Sequence, residues 1–149
     1  MRVDFYHLER VPLEKALPAI LQKAYEAGSK VLIKTDLAEQ ADELNTLLWT
    51  YQSDSFLPHG CEKDGFSDKQ PIFITHKDDF NPNNASLCVC VHNVPVPLDK
   101  NFVRVLYFFN GLNQDSLDKA RAEWKRVSEA GVDRFYWKQN ENGKWENKV

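Results

Sequence analysis

The strongest constraint on the fold lies in the first fifty residues, which twice follow a short apolar run with an amphipathic stripe. Val3, Phe5 and Tyr6, within Arg2 to Tyr6, read as a first strand. Pro12 stands where a helix can begin. From Leu13 to Ala27 the apolar residues Leu13, Ala16, Leu17, Ile20, Leu21, Ala24 and Tyr25 recur at three- and four-residue spacings, one helical stripe that Gly28 stops. Lys30 to Lys34 is an aliphatic run between polar residues, suited to a central strand covered on both faces. Asp36 with Glu39 three residues on resembles a capping box, and the helix behind it runs through Ala41, Leu44, Leu47, Leu48 and Trp49. Strand, helix, strand, helix with crossovers of this length implies parallel pairing and an α/β class.

Further along the chain, Gln52 to Gln70 is irregular, with Pro58, Gly60 and Gly65 among scattered charges, a length of loop that is usually functional or disordered. Pro71 to Thr75 gives a strand, His76 to Ala85 is polar, and Leu87 to Val91 and Arg104 to Phe109 give two more strands around Val94 to Leu98. A last helix is expected from about Asp115 to Ala130. Phe135 to Lys138 and Lys144-Trp145, across Asn140 to Gly143, suit a terminal hairpin, because Asn-Gly favours the primed turns, so 138–149 is a hairpin or an extension. A chain of 149 residues is the usual size of one domain, and 1–149 is expected to be one.

Apolar and charged fractions of 42% and 28% are those of ordinary globular proteins, which excludes wholesale disorder and fibrous architectures. A net charge of −3 argues against whole-surface attraction to nucleic-acid phosphates, so any basic patch is local. The start has no apolar run suited to a signal peptide, and no stretch approaches the ~20 apolar residues of a membrane span, so a cytoplasmic protein with no membrane contact is expected. Three cysteines, two of them in the apolar run Leu87 to Val91, suit buried reduced thiols rather than a disulfide framework.

The alternation invites a search for phosphate-binding fingerprints. The six glycines form no G-x-G-x-x-G, and Gly28-Ser29-Lys30 follows a helix and precedes a strand, the reverse of what a phosphate loop requires. Cys88, Cys90 and His92 alternate along one expected strand, but a tetrahedral metal site would need a fourth ligand such as His59 or Cys61 from a distant loop, and burial is the preferred reading. His7, His59, His76 and His92 are candidate bases and Ser55 or Cys61 candidate nucleophiles, yet no spacing orients any of them. No catalytic residue, no cofactor and no metal are therefore expected.

Two constellations look instead like binding surfaces. Leu47 to His59 places Trp49, Tyr51, Phe56 and Leu57 at a helix end and in the loop after it, with Leu48 as core and Trp49 and Phe56 balanced between core and interface. On the last helix the 100° rotation per residue puts Leu117, Arg121, Trp124, Lys125 and Ser128 in one sector, with Ala120, Val127 and Ala130 facing the sheet and Lys119 and Arg126 off the sector. Cations flanking a tryptophan suit a short peptide carrying acids and an aromatic or carboxylate terminus.

The order of these features, FYHL near the start, GSKVLIKT, LNTLLWTYQSDSFLPHG and SLDKARAEWKRVSEAG, resembles the chi subunit family of bacterial DNA polymerase III. Its most specific parts are the L-x-x-x-L-W-(x)6-F-x-P-H pattern at Leu44 to His59 and the A-R-x-x-aromatic-K run at Ala120 to Lys125. The resemblance implies a Rossmann-like α/β domain without nucleotide chemistry, a mostly parallel sheet flanked by helices. It also implies a non-catalytic accessory subunit that links the psi subunit and clamp loader to the acidic, phenylalanine-ended tail of single-stranded-DNA-binding protein. Carried over, the psi-facing positions are Trp49, Phe56 and Pro58, and the tail-binding positions are Arg121, Trp124 and Lys125. Leu117 stands where the family suggests a lysine, Trp124 replaces a tyrosine, and the end after Lys138 is longer, which makes the tail site less basic and more dependent on stacking. Two alternatives accompany this reading. One is direct binding of single-stranded nucleic acid by Trp124, Arg121, Lys125 and Arg126; the other is a small-molecule enzyme with Gln52 to Gln70 as a lid.

Overall fold

The computed structural model describes residues 1–50, 57–77 and 81–148. Among them the chain runs β1 (Arg2–Leu8), α1 (Leu13–Glu26), β2 (Val31–Lys34), α2 (Ala38–Thr50), β3 (Gly60–Cys61), two short 3-10 turns, β4 (Ile72–Thr75), β5 (Leu87–Cys90), β6 (Arg104–Asn110), α3 (Gln114–Glu129), β7 (Asp133–Gln139) and β8 (Trp145–Asn147). The strands form one sheet in the order β3-β4-β2-β5-β6-β1-β7-β8. Every pairing is parallel except that of β7 with β8, which is antiparallel and closes through Asn140 to Gly143, where the Asn140 amide donates to the Lys144 carbonyl at 2.8 Å. The chain is an α/β protein.

Helix ends follow local chemistry. Gly28 and Gly131, with φ of +80° and +73°, end α1 and α3 in the same way. In each case the glycine amide bonds back to the helix (Tyr25, Ser128 carbonyls) and the next amide reaches one residue further (Ala24, Val127 carbonyls), the paired bonds of a Schellman motif. Asn113 caps α3 by accepting from the Ser116 amide at 2.9 Å. The expected Asp36/Glu39 capping box is replaced by a different device: the Gln40 side-chain oxygen accepts from the Asp36 and Leu37 amides, both at 2.9 Å. Gln40 lies one residue later than the capping-box position and reaches back past it.

Two cores result. On one face α1 and α2 bring Leu17, Leu21, Leu44 and Leu48 against Tyr6, Ile33, Ile74, Val89 and Leu106. On the other, α3 brings Ala120 and Val127 against Phe5, Leu32, Cys88, Val105 and Phe109. Strands alternate between the two, so Val3, Phe5 and His7 of β1 face α3 while Asp4, Tyr6 and Leu8 face α1. Asp4 is fully buried and yet saturated with donors: Arg2, Arg104 at 2.6 Å and the Trp137 indole at 2.8 Å. Burial pushes its carboxyl up, but the hydrogen bonds from Arg2, Trp137 and Arg104 outweigh it and hold the group below its ordinary range.

Some expectations change here. Cys88 and Cys90 are buried in β5, but His92 lies past its end, at φ +56° and exposed, so it does not continue their face. Among the described residues no group of three or more His, Cys, Asp or Glu is placed to hold a metal ion. Ala130, expected to pack on the sheet, is the exposed C-cap of α3, and a buried Glu123 takes part in that face instead. Among the described residues no helix is long and apolar enough to cross a membrane.

Candidate functional site

Because β1 lies between β6 and β7, register alone assembles an aromatic floor on the α3 face: Phe5 sits between Tyr107 and Tyr136, and His7 between Phe109 and Lys138. Above it, α3 contributes Leu117, Ala120, Arg121 and Trp124. These residues enclose a cavity of about 380 Å³ lined by Phe5, His7, Phe109, Leu117, Ala120, Arg121, Trp124 and Tyr136. Trp124 forms a wall, meeting Phe5 edge-on at 5.1 Å and Tyr136 at 5.8 Å between ring centroids. The Arg134 guanidinium lies 4.1 Å from the Trp124 ring centre and donates to the Trp124 carbonyl at 3.1 Å, which fixes the indole from its other side.

The cations at this cavity differ in availability. Arg121 and Lys125 have side chains 72% and 79% exposed and form long ion pairs to Asp118 (3.6 Å) and Glu129 (3.9 Å) on their own helix. Such solvated pairs are worth at most ~1 kcal/mol, so an incoming carboxylate can replace them at little cost. Arg126 is committed elsewhere. It donates to both oxygens of the buried Glu123 and to the Val96 carbonyl, while the Val96 amide donates to Glu123, a latch that ties α3 to the loop before β6.

The cavity floor carries one polar pair, a short hydrogen bond between His7 Nδ1 and the Tyr136 hydroxyl. Burial holds the His7 imidazole below its usual range, helped by Lys138 and opposed by Glu9. Burial likewise raises the Tyr136 phenol, with Arg121 pulling it down. The imidazole fits because Gly111 has no side chain: a Cβ there would stand 2.0 Å from His7 Nε2.

At the end of α2, Trp49 is 51% exposed and its ring centre lies 4.5 Å from that of His59. His59 is buried, its ring nitrogens against the Leu57 carbonyl (2.6 Å) and the Asn45 carbonyl (3.1 Å), so the segment from Leu57 to His59 is pinned back on α2. Pro58 is half-buried between Leu57 and His59, both buried. Phe56 and Tyr51 lie outside the described residues. Leu48 is core.

The structure thus puts Arg121 and Trp124 on the cavity wall and leaves Lys125 exposed on α3 outside the lining, while Trp49 stands at the end of α2 and Pro58 in the segment beside His59. The family model described as "DNA polymerase III chi subunit, HolC" matches residues 1–134. The chain belongs to the DNA polymerase III chi subunit family. A curated relative, "Probable DNA polymerase III subunit chi" of Rickettsia prowazekii (strain Madrid E), is 40% identical over 88 residues, 59% of this chain and 53% of that protein, so the match spans about half of the relative's length. The family's description names a subunit of DNA polymerase III. The match ends within β7, and Tyr136 lies just beyond it.

His7, Phe109, Arg134 and Tyr136 were missed from sequence. Their signal was period-two alternation, with Arg134, Tyr136 and Lys138 on one face of β7, but alternation does not say which strand lies beside which. Glu123 was missed as well; its signal was the i,i+3 spacing to Arg126.

Proposed function

We propose that this chain is a non-catalytic adaptor, one domain with two separate docking surfaces, working in the cytoplasm. The psi subunit docks on the end of α2 through Trp49, Phe56 and Pro58. The acidic C-terminal tail of single-stranded-DNA-binding protein docks on α3 through Arg121, Trp124 and Lys125, so the chain bridges the clamp loader to protein-coated single strands. The layering, helices on both faces of a mostly parallel sheet, supports a Rossmann-like reading of the fold, with no phosphate fingerprint to turn it to nucleotides.

The observation that carries the proposal is the α3 cavity: a largely aromatic floor beside the solvated Arg121, with the exposed Lys125 one turn on along the helix, is complementary to a peptide that ends in an aromatic ring and bears acids. Direct binding of nucleic acid is disfavoured by Arg126, a cation that reading needs, being locked to Glu123 and Val96. A synthetic peptide with several aspartates and a C-terminal phenylalanine, titrated by fluorescence anisotropy, is expected to bind in the micromolar class, near −8 kcal/mol. Its affinity should fall as salt rises and outstrip that of bare single-stranded DNA. Salt-insensitive binding, or stronger binding of the DNA, would refute the proposal.

A further inference from the structure

Both ring nitrogens of the buried His59 face backbone carbonyls, Nδ1 that of Leu57 at 2.6 Å and Nε2 that of Asn45 at 3.1 Å. A carbonyl oxygen only accepts, so both contacts are hydrogen bonds only when each ring nitrogen carries a hydrogen, and that form is the imidazolium cation. A neutral ring would aim one lone pair at an oxygen and leave a buried nitrogen with no donor to meet it. The Trp49 indole gives the cation a further contact: the ring centres are 4.5 Å apart at a tilt of 47°, within reach of a cation–π interaction. Carboxylates on the elements packed there are turned to other partners or to water. Asp42 pairs with Lys63 at 3.1 Å, Asp64 accepts from the Cys61 amide at 2.9 Å and Glu62 accepts from the Thr75 hydroxyl, while Glu39 and Glu43 are exposed on α2. Among the described residues the ring is held by two carbonyls and an indole, and no acid pairs with it.

Resting on the docking assignment above, we propose that His59, held as an imidazolium, is the positioning residue of the α2 surface: it clamps Trp49 and so sets how the indole is presented to psi. When the ring gives one proton to solvent, it loses a hydrogen bond to Leu57 or Asn45 and, with it, the charge beside the indole. The segment from Leu57 to His59 then loosens from α2, and Trp49 on the helix and Pro58 beside His59 are no longer held in register. Binding of psi is strongest while the ring holds both hydrogens and weakens as rising pH removes one.

Two measurements test it, one on the isolated chain and one with the partner. Two-bond nitrogen–proton correlation of the His59 ring by NMR should show a hydrogen on both nitrogens at about pH 6. Loss of one on the way to about pH 8 should shift the indole signal of Trp49, assigned through Trp49→Phe, in step with it. Calorimetry with psi over the same range should show affinity falling by about threefold or more in wild type, the scale of one lost hydrogen bond. It should show no such fall in His59→Gln, whose amide still donates to a carbonyl but does not titrate. A ring with a single hydrogen at about pH 6 overturns the inference and leaves the docking assignment standing, as does the same pH dependence of psi binding in wild type and His59→Gln. If His59→Gln does not fold, the ring titration and the Trp49 signal of wild type decide. If psi binds at no pH, the docking assignment fails, and the ring titration still decides whether His59 clamps Trp49.

Discussion

The two faces of the sheet bury different material, the first mostly aliphatic and the second richer in aromatic rings, and they close differently. On the first, α1 and α2 cover the strands, and Asp4, a charge placed inside, meets donors from Arg2, Arg104 and Trp137. On the second, one helix must roof β6, β1 and β7, and it leaves a cavity that holds the His7–Tyr136 pair. The first face spends its buried carboxylate on internal pairing, and Trp49 protrudes at its edge. An under-roofed face keeps a concave site and solvated cations for a ligand to use. The difference predicts which substitutions change folding and which change binding.

The largest effect is expected on the sealed face. Asp4→Ala should cost about 3 kcal/mol in chemical denaturation, the low end for breaking a buried ion pair, because Arg2 and Arg104, 43% and 40% exposed, can turn to water. As the native Asp4 carboxyl lies below its ordinary range, its contribution is complete above the unfolded value near ~4 and is lost as pH falls through the lowered native one. Acid unfolding of wild type should therefore be steeper than that of Asp4→Ala; equal acid sensitivity would show that Asp4 is not the group that distinguishes this face.

Next in size is Trp49→Ala, expected to leave the isolated protein folded, since half of the ring is already in water, and to cost about 2 kcal/mol or more of psi binding by calorimetry. Loss of folding would make Trp49 part of the sealed core. On the open face, Arg121→Ala and Lys125→Ala should each weaken the acidic peptide by ~1 kcal/mol with little change in melting temperature. Arg126→Ala should invert that pattern, weakening the peptide least and the fold most of the three, because it leaves Glu123 buried without its guanidinium.

Much of this architecture was legible in advance where the signal is local. The α1 stripe, its Gly28 stop, the aliphatic β2 run and the span of α3 each depend on neighbours within one or two turns. The α3 wall of the cavity was legible in part for the same reason, since Arg121 and Trp124 share a helical sector, whereas Lys125 of that sector lies outside the lining. Its floor was not, because Phe5, Phe109 and Tyr136 are distant in sequence and meet only through strand order, which pattern does not encode. Gln40 in place of the Asp36/Glu39 box and Ala130 as an exposed cap show the same limit at helix ends, where side-chain reach decides between near-equal local choices. The aromatic exit after α2 was legible as composition, and Phe56, on which half of that expectation rested, lies outside the described residues.

Bridging requires that the two surfaces work independently on one molecule, and a binding matrix tests that most directly. Wild type, Trp49→Ala and Arg121→Ala are each titrated with psi and with the aspartate-rich, phenylalanine-ended peptide, the latter both alone and with psi saturating. The account predicts that Trp49→Ala loses psi but keeps the peptide, that Arg121→Ala does the reverse, and that saturating psi leaves wild-type peptide affinity unchanged within about twofold, below ~0.5 kcal/mol of coupling. Displacement of the peptide by psi, or one substitution abolishing both partners, would contradict it.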